Sequence, residues 1–189
     1  MTPARTGPHP VQLAVVLAAC LTASTVLSLR AQPVDTGQTR VFRYLMGTSI
    51  RVEASGGTPE VRQLAAEEAF GAVAEVDRLM SDYRPDSELM QLNARAQVGP
   101  VAASAPLAAV IDAGLRVGAD SGGAFDITVA PLVAAWGVRQ RRTTPPSPTQ
   151  LAQVRPLVGT ANVQLDQQSH LVRFARPGVA LTLAGLAKG

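Results

Sequence analysis

One cysteine, Cys20, leaves no internal disulfide to be formed. Histidine is nearly as scarce: His9 falls in the leading segment and His170 in an expected hairpin. Neither a histidine-based nucleophilic triad nor a histidine-rich metal centre can be assembled from them. No glycine-rich strand-to-helix turn of the G-x-G-x-x-G type occurs, which excludes the common dinucleotide fingerprint. No internal repeat is visible. Lysine is confined to Lys188, so the net charge of +3 is carried by arginine. Arg139, Arg141 and Arg142 cluster ahead of the run Thr143-Thr144-Pro145-Pro146-Ser147-Pro148, and no aromatic residue interleaves with them. That pattern reads as a solvated loop, and no nucleic-acid partner is expected.

What is present at the start has the form of an export signal. The first dozen residues are weakly basic, and residues 11–29 form an apolar run interrupted only by Gln12 and small hydroxyl residues. The run is at the short end for a membrane span, which takes roughly 20 mostly apolar residues. Within it, Leu17-Ala18-Ala19-Cys20 resembles the lipobox of bacterial lipoproteins, in which the cysteine becomes the lipidated first residue. A lone thiol in an exported chain is better explained by lipidation than by a staple. The apolar run continues past Cys20 to Leu29, so an uncleaved anchor and cleavage near Ala31 stay open beside it. Residues 1–30 are therefore expected to be the signal or anchor and residues 31–39 a short tether. Residues 40–189 then form one domain, about 150 residues, within the usual range of roughly 100–200.

Hydrophobic periods outline that domain. Residues 41–44 and 49–54 alternate over part of their length and read as strands flanking Met46-Gly47-Thr48. From Pro59, with Thr58 as cap, Val61, Leu64, Ala65, Ala69, Ala72, Val73, Val76 and Met80 place one apolar stripe on a long helix. A second helix begins near Ser87 with Glu88. A third runs from Pro106 to about Gly118, with Leu107, Val110, Ile111, Gly114 and Leu115 on one face, and a short one spans residues 148–154. Residues 162–166 and 170–174 read as a hairpin, and residues 179–182 as the start of another strand. Helices and antiparallel strands mix without regular alternation, which makes the fold class α+β.

The most concentrated chemistry lies in residues 121–137. Gly122 and Gly123 free the backbone for turns and close approach. Asp126 follows between Phe125 and Ile127, either capping a turn through its own backbone or facing a polar ligand. Pro131 halts regular pairing, and Trp136, the one tryptophan, closes the stretch before Gly137.

Four segments together resemble the ApbE family of FAD:protein FMN transferases. They are Met46-Gly47-Thr48; residues 80–89, with Asp82, Tyr83 and Arg84, followed by Asn93; the Gly122 to Gly137 stretch; and Leu183-Ala184-Gly185-Leu186-Ala187-Lys188-Gly189. The resemblance implies a single ApbE-like domain with a mixed or antiparallel sheet and packed helices, C-terminally incomplete. Its implied reaction splits FAD at the pyrophosphate, joins FMN through phosphate to a threonine or serine of a target flavoprotein of an electron-transport complex, and releases AMP. Mg2+ is the implied cofactor, a hard cation that neutralises pyrophosphate charge. The implied flavin-contacting positions are Met46, Tyr83, Ala124, Phe125, Asp126 and Lys188, and the Gly185 carbonyl is an implied metal ligand. Catalytic groups are expected downstream of Gly189, so this stretch alone is expected to be inactive and prone to aggregate. The implied location is the periplasmic side of the bacterial inner membrane, with a lipid or N-terminal anchor.

Each position also has a plainer reading. Met46 can fill core at a turn, Tyr83 can cover the end of the long helix, Asp126 can cap its turn, and Lys188 can be a solvated charge. Two positions depart from the family's pattern: Thr182 stands where an aspartate is usual, and Ala184 where a glycine is. Three function classes are therefore carried: the flavin transferase; an exported FAD-binding protein or Mg-dependent FAD pyrophosphatase; and a non-catalytic exported α+β module. For Cys20, replacement by serine is expected to release the mature protein from membranes or leave the precursor uncut. Mass spectrometry of the membrane fraction checks this, and an unchanged mature mass would refute lipidation.

Overall fold

The computed structural model describes residues 37–187. The signal region with Cys20, tether residues 31–36, Lys188 and Gly189 lie outside the described residues. Strands β1 (Gln38–Leu45) and β2 (Thr48–Ser55) pair antiparallel, with Gln38 opposite Ser55 and Leu45 opposite Thr48. Met46 and Gly47 make the two-residue turn with φ of 52° and 70°. Positive φ at both positions gives the tight hairpin turn whose twist matches the strands. Glycine adopts it freely; methionine does so rarely.

Helix α1 (Pro59–Met80) starts as expected, with Thr58 accepting from the Val61 amide and Pro59 in the first turn. Its buried face differs from the expected stripe. Val61 and Leu64 are exposed, and so are Ala65 and Ala72, while Arg62, Ala66 and Phe70 are buried. The polar groups of β1 decide this. Arg62 donates from Nε to Thr39 Oγ1 (3.1 Å) and from Nη1 to the Gly57 carbonyl (2.7 Å). Arg43 lies over the Phe70 ring at 4.6 Å and donates to both Glu67 oxygens. A satisfied guanidinium on the covered face turns the helix away from the position that apolar spacing alone selects.

Ser87 caps α2 (Glu88–Arg95) by accepting from the Met90 amide, and its hydroxyl donates to the Ser81 carbonyl (2.6 Å). Ser104 caps α3 (Ala105–Asp120), and Glu88 takes both the amide and the hydroxyl of Ser104 (2.6 and 2.8 Å). One carboxylate thereby ties the starts of two helices, where negative charge is favourable. Two further helices follow, α4 (Ala130–Ala135) and α5 (Pro148–Val154). Pro131 does not simply halt pairing; it lies in the first turn of α4, where its missing N–H costs nothing.

The second sheet has the order β3-β5-β4, all antiparallel, from β3 (Val101–Ala102), β4 (Val163–Leu165) and β5 (Leu171–Phe174). The expected hairpin is thus present, and the two-residue β3 is an addition too short to leave a period in the sequence. Leu89, Leu92, Leu107, Ile111, Ile127, Val172, Phe174, Val179, Leu181 and Leu183 form the centre of the core. Architecture and pairing agree with the α+β expectation.

Residues 179–182 do not form the expected strand. Asn93 accounts for the difference. Its Nδ2 donates to the Leu181 carbonyl (2.9 Å) and its Oδ1 accepts from the Leu181 amide (2.8 Å), both buried. A side-chain amide thus replaces the neighbouring strand at that residue. Each polar group left unpaired in a buried site costs about 1–3 kcal/mol, so Asn93→Ala is expected to lose roughly 2–5 kcal/mol in urea unfolding. A change below about 0.5 kcal/mol, the usual range for surface substitutions, would contradict this role.

Candidate functional site

The segment 181–187 is the meeting point of the chain's unusual residues. At its start, Thr182 donates from its hydroxyl to Asp82 Oδ2 (2.7 Å) and from its amide to the Ile127 carbonyl (2.8 Å). Asp82 precedes Tyr83, and Ile127 follows Asp126, so Thr182 stands between those two neighbourhoods. Further along, a Cβ added to Gly185 would lie 3.1 Å from Phe125 Cε2, which places the Phe125 ring directly on that backbone. Ala187 then borders a hollow of ≈ 490 Å³ shared with Met46, Thr48, Ile50, Ala72, Val73 and Val76.

Two helical glycines seat the 125–128 turn. A Cβ at Gly114 would meet Ile127 Cγ2 at 2.6 Å and Leu186 Cδ1 at 3.0 Å; one at Gly118 would meet Thr160 Cγ2 at 2.8 Å. Their i, i+4 spacing leaves a small-residue strip on α3 onto which the turn settles. Gly122 and Gly123, at φ of 61° and 84°, reverse the chain after α3. The Ser121 hydroxyl then accepts from the Phe125 amide (3.0 Å).

Asp126 caps its turn: Oδ1 accepts from the Thr128 amide (2.7 Å) and from the Thr128 hydroxyl (2.6 Å). Fully buried Thr128 also accepts from the Gly159 amide (2.7 Å). The turn-cap reading therefore holds for Oδ1. Oδ2 takes no hydrogen bond from the described residues, so one oxygen of a half-buried carboxylate is left for another donor.

Tyr83 is 72% exposed just beyond α1. Its ring lies under the Arg139 guanidinium at 4.6 Å. Arg139 pairs through Nη2 with Asp82 Oδ2 (2.7 Å) and donates through Nη1 to the Asp82 carbonyl. Nearby, Arg84 donates to Asp86 (2.8 Å), which holds that exposed carboxyl below the usual carboxylate range. Arg139, Asp82, Asn93 and Thr182 share a hollow of ≈ 420 Å³ with Pro131, Val133 and Leu181.

Of the expected positions, Phe125 and Gly185 touch, Met46 shares a hollow with Ala187, and Tyr83 and Asp126 flank Thr182 through their neighbours. Neither Tyr83 nor Asp126 itself lines either hollow. Ala124 is an exposed residue of the turn, and Lys188 lies outside the described residues. The sequence reading missed Arg139, placed with Arg141 and Arg142 in a solvated loop. Its partner is 57 positions away, and no local spacing announces such a pair.

Magnesium asks for near-octahedral oxygen ligands. Among the described residues, no group of three or more His, Cys, Asp or Glu could hold a metal ion. Asp82 Oδ2 is committed to Arg139 and Thr182, and Asp126 Oδ1 to Thr128. The described residues by themselves do not fit the ion.

The ApbE family's sequence model matches residues 46–189. A FAD:protein FMN transferase of Haemophilus influenzae is 32% identical over 184 residues, 95% of this chain and 50% of its own length. One of Klebsiella pneumoniae is 32% identical over 158 residues, 82% of this chain and 43% of its own length. The solved flavin transferase ApbE of Vibrio cholerae superposes with a TM-score of 0.72 at 26% identity, covering 80% of this chain and 49% of that one. The chain spans about half the length of the Haemophilus relative.

Proposed function

Because the chain belongs to the ApbE family, we propose that it supplies the nucleotide-holding part of a flavin transferase that moves FMN from FAD to a protein hydroxyl. The observation that carries this reading is the convergence of Met46, the Asp82-Tyr83 corner and the Phe125-Asp126 turn on residues 182–187. In the proposed reaction, a threonine or serine oxygen of a target flavoprotein attacks the FMN-side phosphorus. The pyrophosphate P–O bond breaks, AMP leaves with the electron pair, and the hydroxyl proton passes to a base.

The chain's own residues bind and orient. The exposed Tyr83 ring offers a flat face for stacking, worth about 0.5–1.5 kcal/mol beyond area burial. Asp126 Oδ2 accepts from a nucleotide N–H or O–H, a charged hydrogen bond of about 1.5–3 kcal/mol. Met46 closes the apolar hollow beside Ala187, and Lys188 offers its ammonium to the pyrophosphate. Magnesium, with the Gly185 carbonyl among its ligands, belongs to the proposal for the whole protein, where it would offset phosphate charge. Export to the periplasmic face of the inner membrane, anchoring through Cys20, and a target in an electron-transport complex complete the reading. No described helix is long and apolar enough to cross a membrane.

FAD titration followed by flavin fluorescence tests the reading, with folding of each variant checked by circular dichroism. Asp126→Ala is expected to weaken binding most, Tyr83→Ala less, and Tyr83→Phe least because it keeps the ring. Asp126→Asn keeps an oxygen for the Thr128 cap but loses the charge, so it is expected to fold as the parent and bind FAD more weakly. If Asp126→Asn and Asp126→Ala both bind like the parent, Asp126 is a turn cap alone.

A further inference from the structure

Tyr83 is too exposed for packing to fix its ring, and the structure gives that ring one strong neighbour, Arg139. We propose that Arg139 is a positioning residue for the flavin-nucleotide site: it holds one face of Tyr83 so that the other face can stack on a flat heteroaromatic ring, and it neutralises Asp82 beside it. The inference rests on the flavin reading above.

The geometry favours arginine for three reasons. A planar guanidinium can lie over an aromatic face while its edge donates in the same plane. Arg139 does both, with its centre 4.6 Å from the Tyr83 ring centroid and its nitrogens on the Asp82 carbonyl and carboxylate. Side-chain exposure is 37% for Arg139 and 10% for Asp82, so the pair is partly withdrawn from solvent and less screened than a surface pair. Thr182 donates to the same Oδ2, a second donor that holds the carboxylate in place. The Asp82-Tyr83 corner and Thr182 therefore belong to one network.

Its purpose follows from charge and entropy. A nucleotide pyrophosphate is anionic, and an uncompensated Asp82 at the corner would repel it. A free tyrosine ring must also be ordered when a ligand stacks on it, a cost that prior immobilisation removes. Arg139 meets both needs. Arg141 and Arg142 are exposed in the same loop.

The test uses the full chain with Arg139→Met and Arg139→Lys. Residues 1–189 hold two tyrosines, Tyr44 and Tyr83, and after 3-fluorotyrosine labelling their fluorine resonances are assigned with Tyr44→Phe and Tyr83→Phe. Arg139→Met is expected to shift the Tyr83 resonance, leave that of Tyr44, and weaken FAD binding roughly three- to tenfold, in line with an exposed cation–π contact plus one side chain's ordering. Arg139→Lys keeps the charge for Asp82 but not the plane. It is expected to melt like the parent and still shift the Tyr83 resonance and lose FAD affinity.

A stationary Tyr83 resonance in both variants overturns the proposal, and so does a shifted resonance with parental FAD affinity. Parental affinity in Arg139→Lys alone also overturns it, by reducing the role to charge. A parent that binds no FAD overturns the flavin reading itself, which is a different result from a binding parent with unaffected variants.

Discussion

Two hydrogen bonds between the Asn93 side chain and the Leu181 backbone set the course of everything after β5. They join α2 to a segment that has no strand partner among the described residues. Leu181 and Leu183 are buried at 1% and 0% exposure, and burying each such side chain is worth about 1.5–3 kcal/mol. That gain requires the intervening peptide groups to be satisfied. Asn93 satisfies one residue, and the Thr182 amide reaches the Ile127 carbonyl for the next. Held this way, the segment brings Thr182 to Asp82 and the Gly185 backbone to Phe125.

The site chemistry inherits that constraint. Asp82 can be kept nearly buried because Thr182 and Arg139 both donate to it, and a buried carboxylate without such donors would be costly. Phe125 can lie on Gly185 because glycine has no Cβ there, and the turn carrying Phe125 can reach it because Gly114 and Gly118 clear a path along α3. Small residues decide distance, while polar ones decide orientation. Asp126 illustrates both in one side chain, since one oxygen builds the turn and the other takes no hydrogen bond from the described residues.

The sequence carried the local parts of this arrangement clearly. Thr58-Pro59, Ser87 and Pro148 mark helix starts that the structure places at the same residues. The strands on either side of Met46-Gly47-Thr48 lie where alternation placed them, while the positive φ at Met46 is one that methionine adopts rarely and no residue type there announces. Nonlocal polar pairing was illegible: the turned face of α1 depends on Arg62 meeting Thr39 and Gly57, and the missing strand at 179–182 depends on Asn93 from 88 positions away. Arg139 looked like its neighbours Arg141 and Arg142, and only the fold separates it from them. The site residues came from the family resemblance, and the structure adds how residues 182–187 bring their neighbourhoods together.

The proposed nucleotide site gathers these neighbourhoods around residues 182–187. Backbone amide shifts of the isotope-labelled protein during titration with FAD report on it directly. The amides of Tyr83, Phe125, Asp126, Thr182 and Gly185 are expected to move together along one saturation curve. Shifts confined to the separate hollow lined by Asp112, Gln167 and His170, or independent curves for Tyr83 and Asp126, would contradict it.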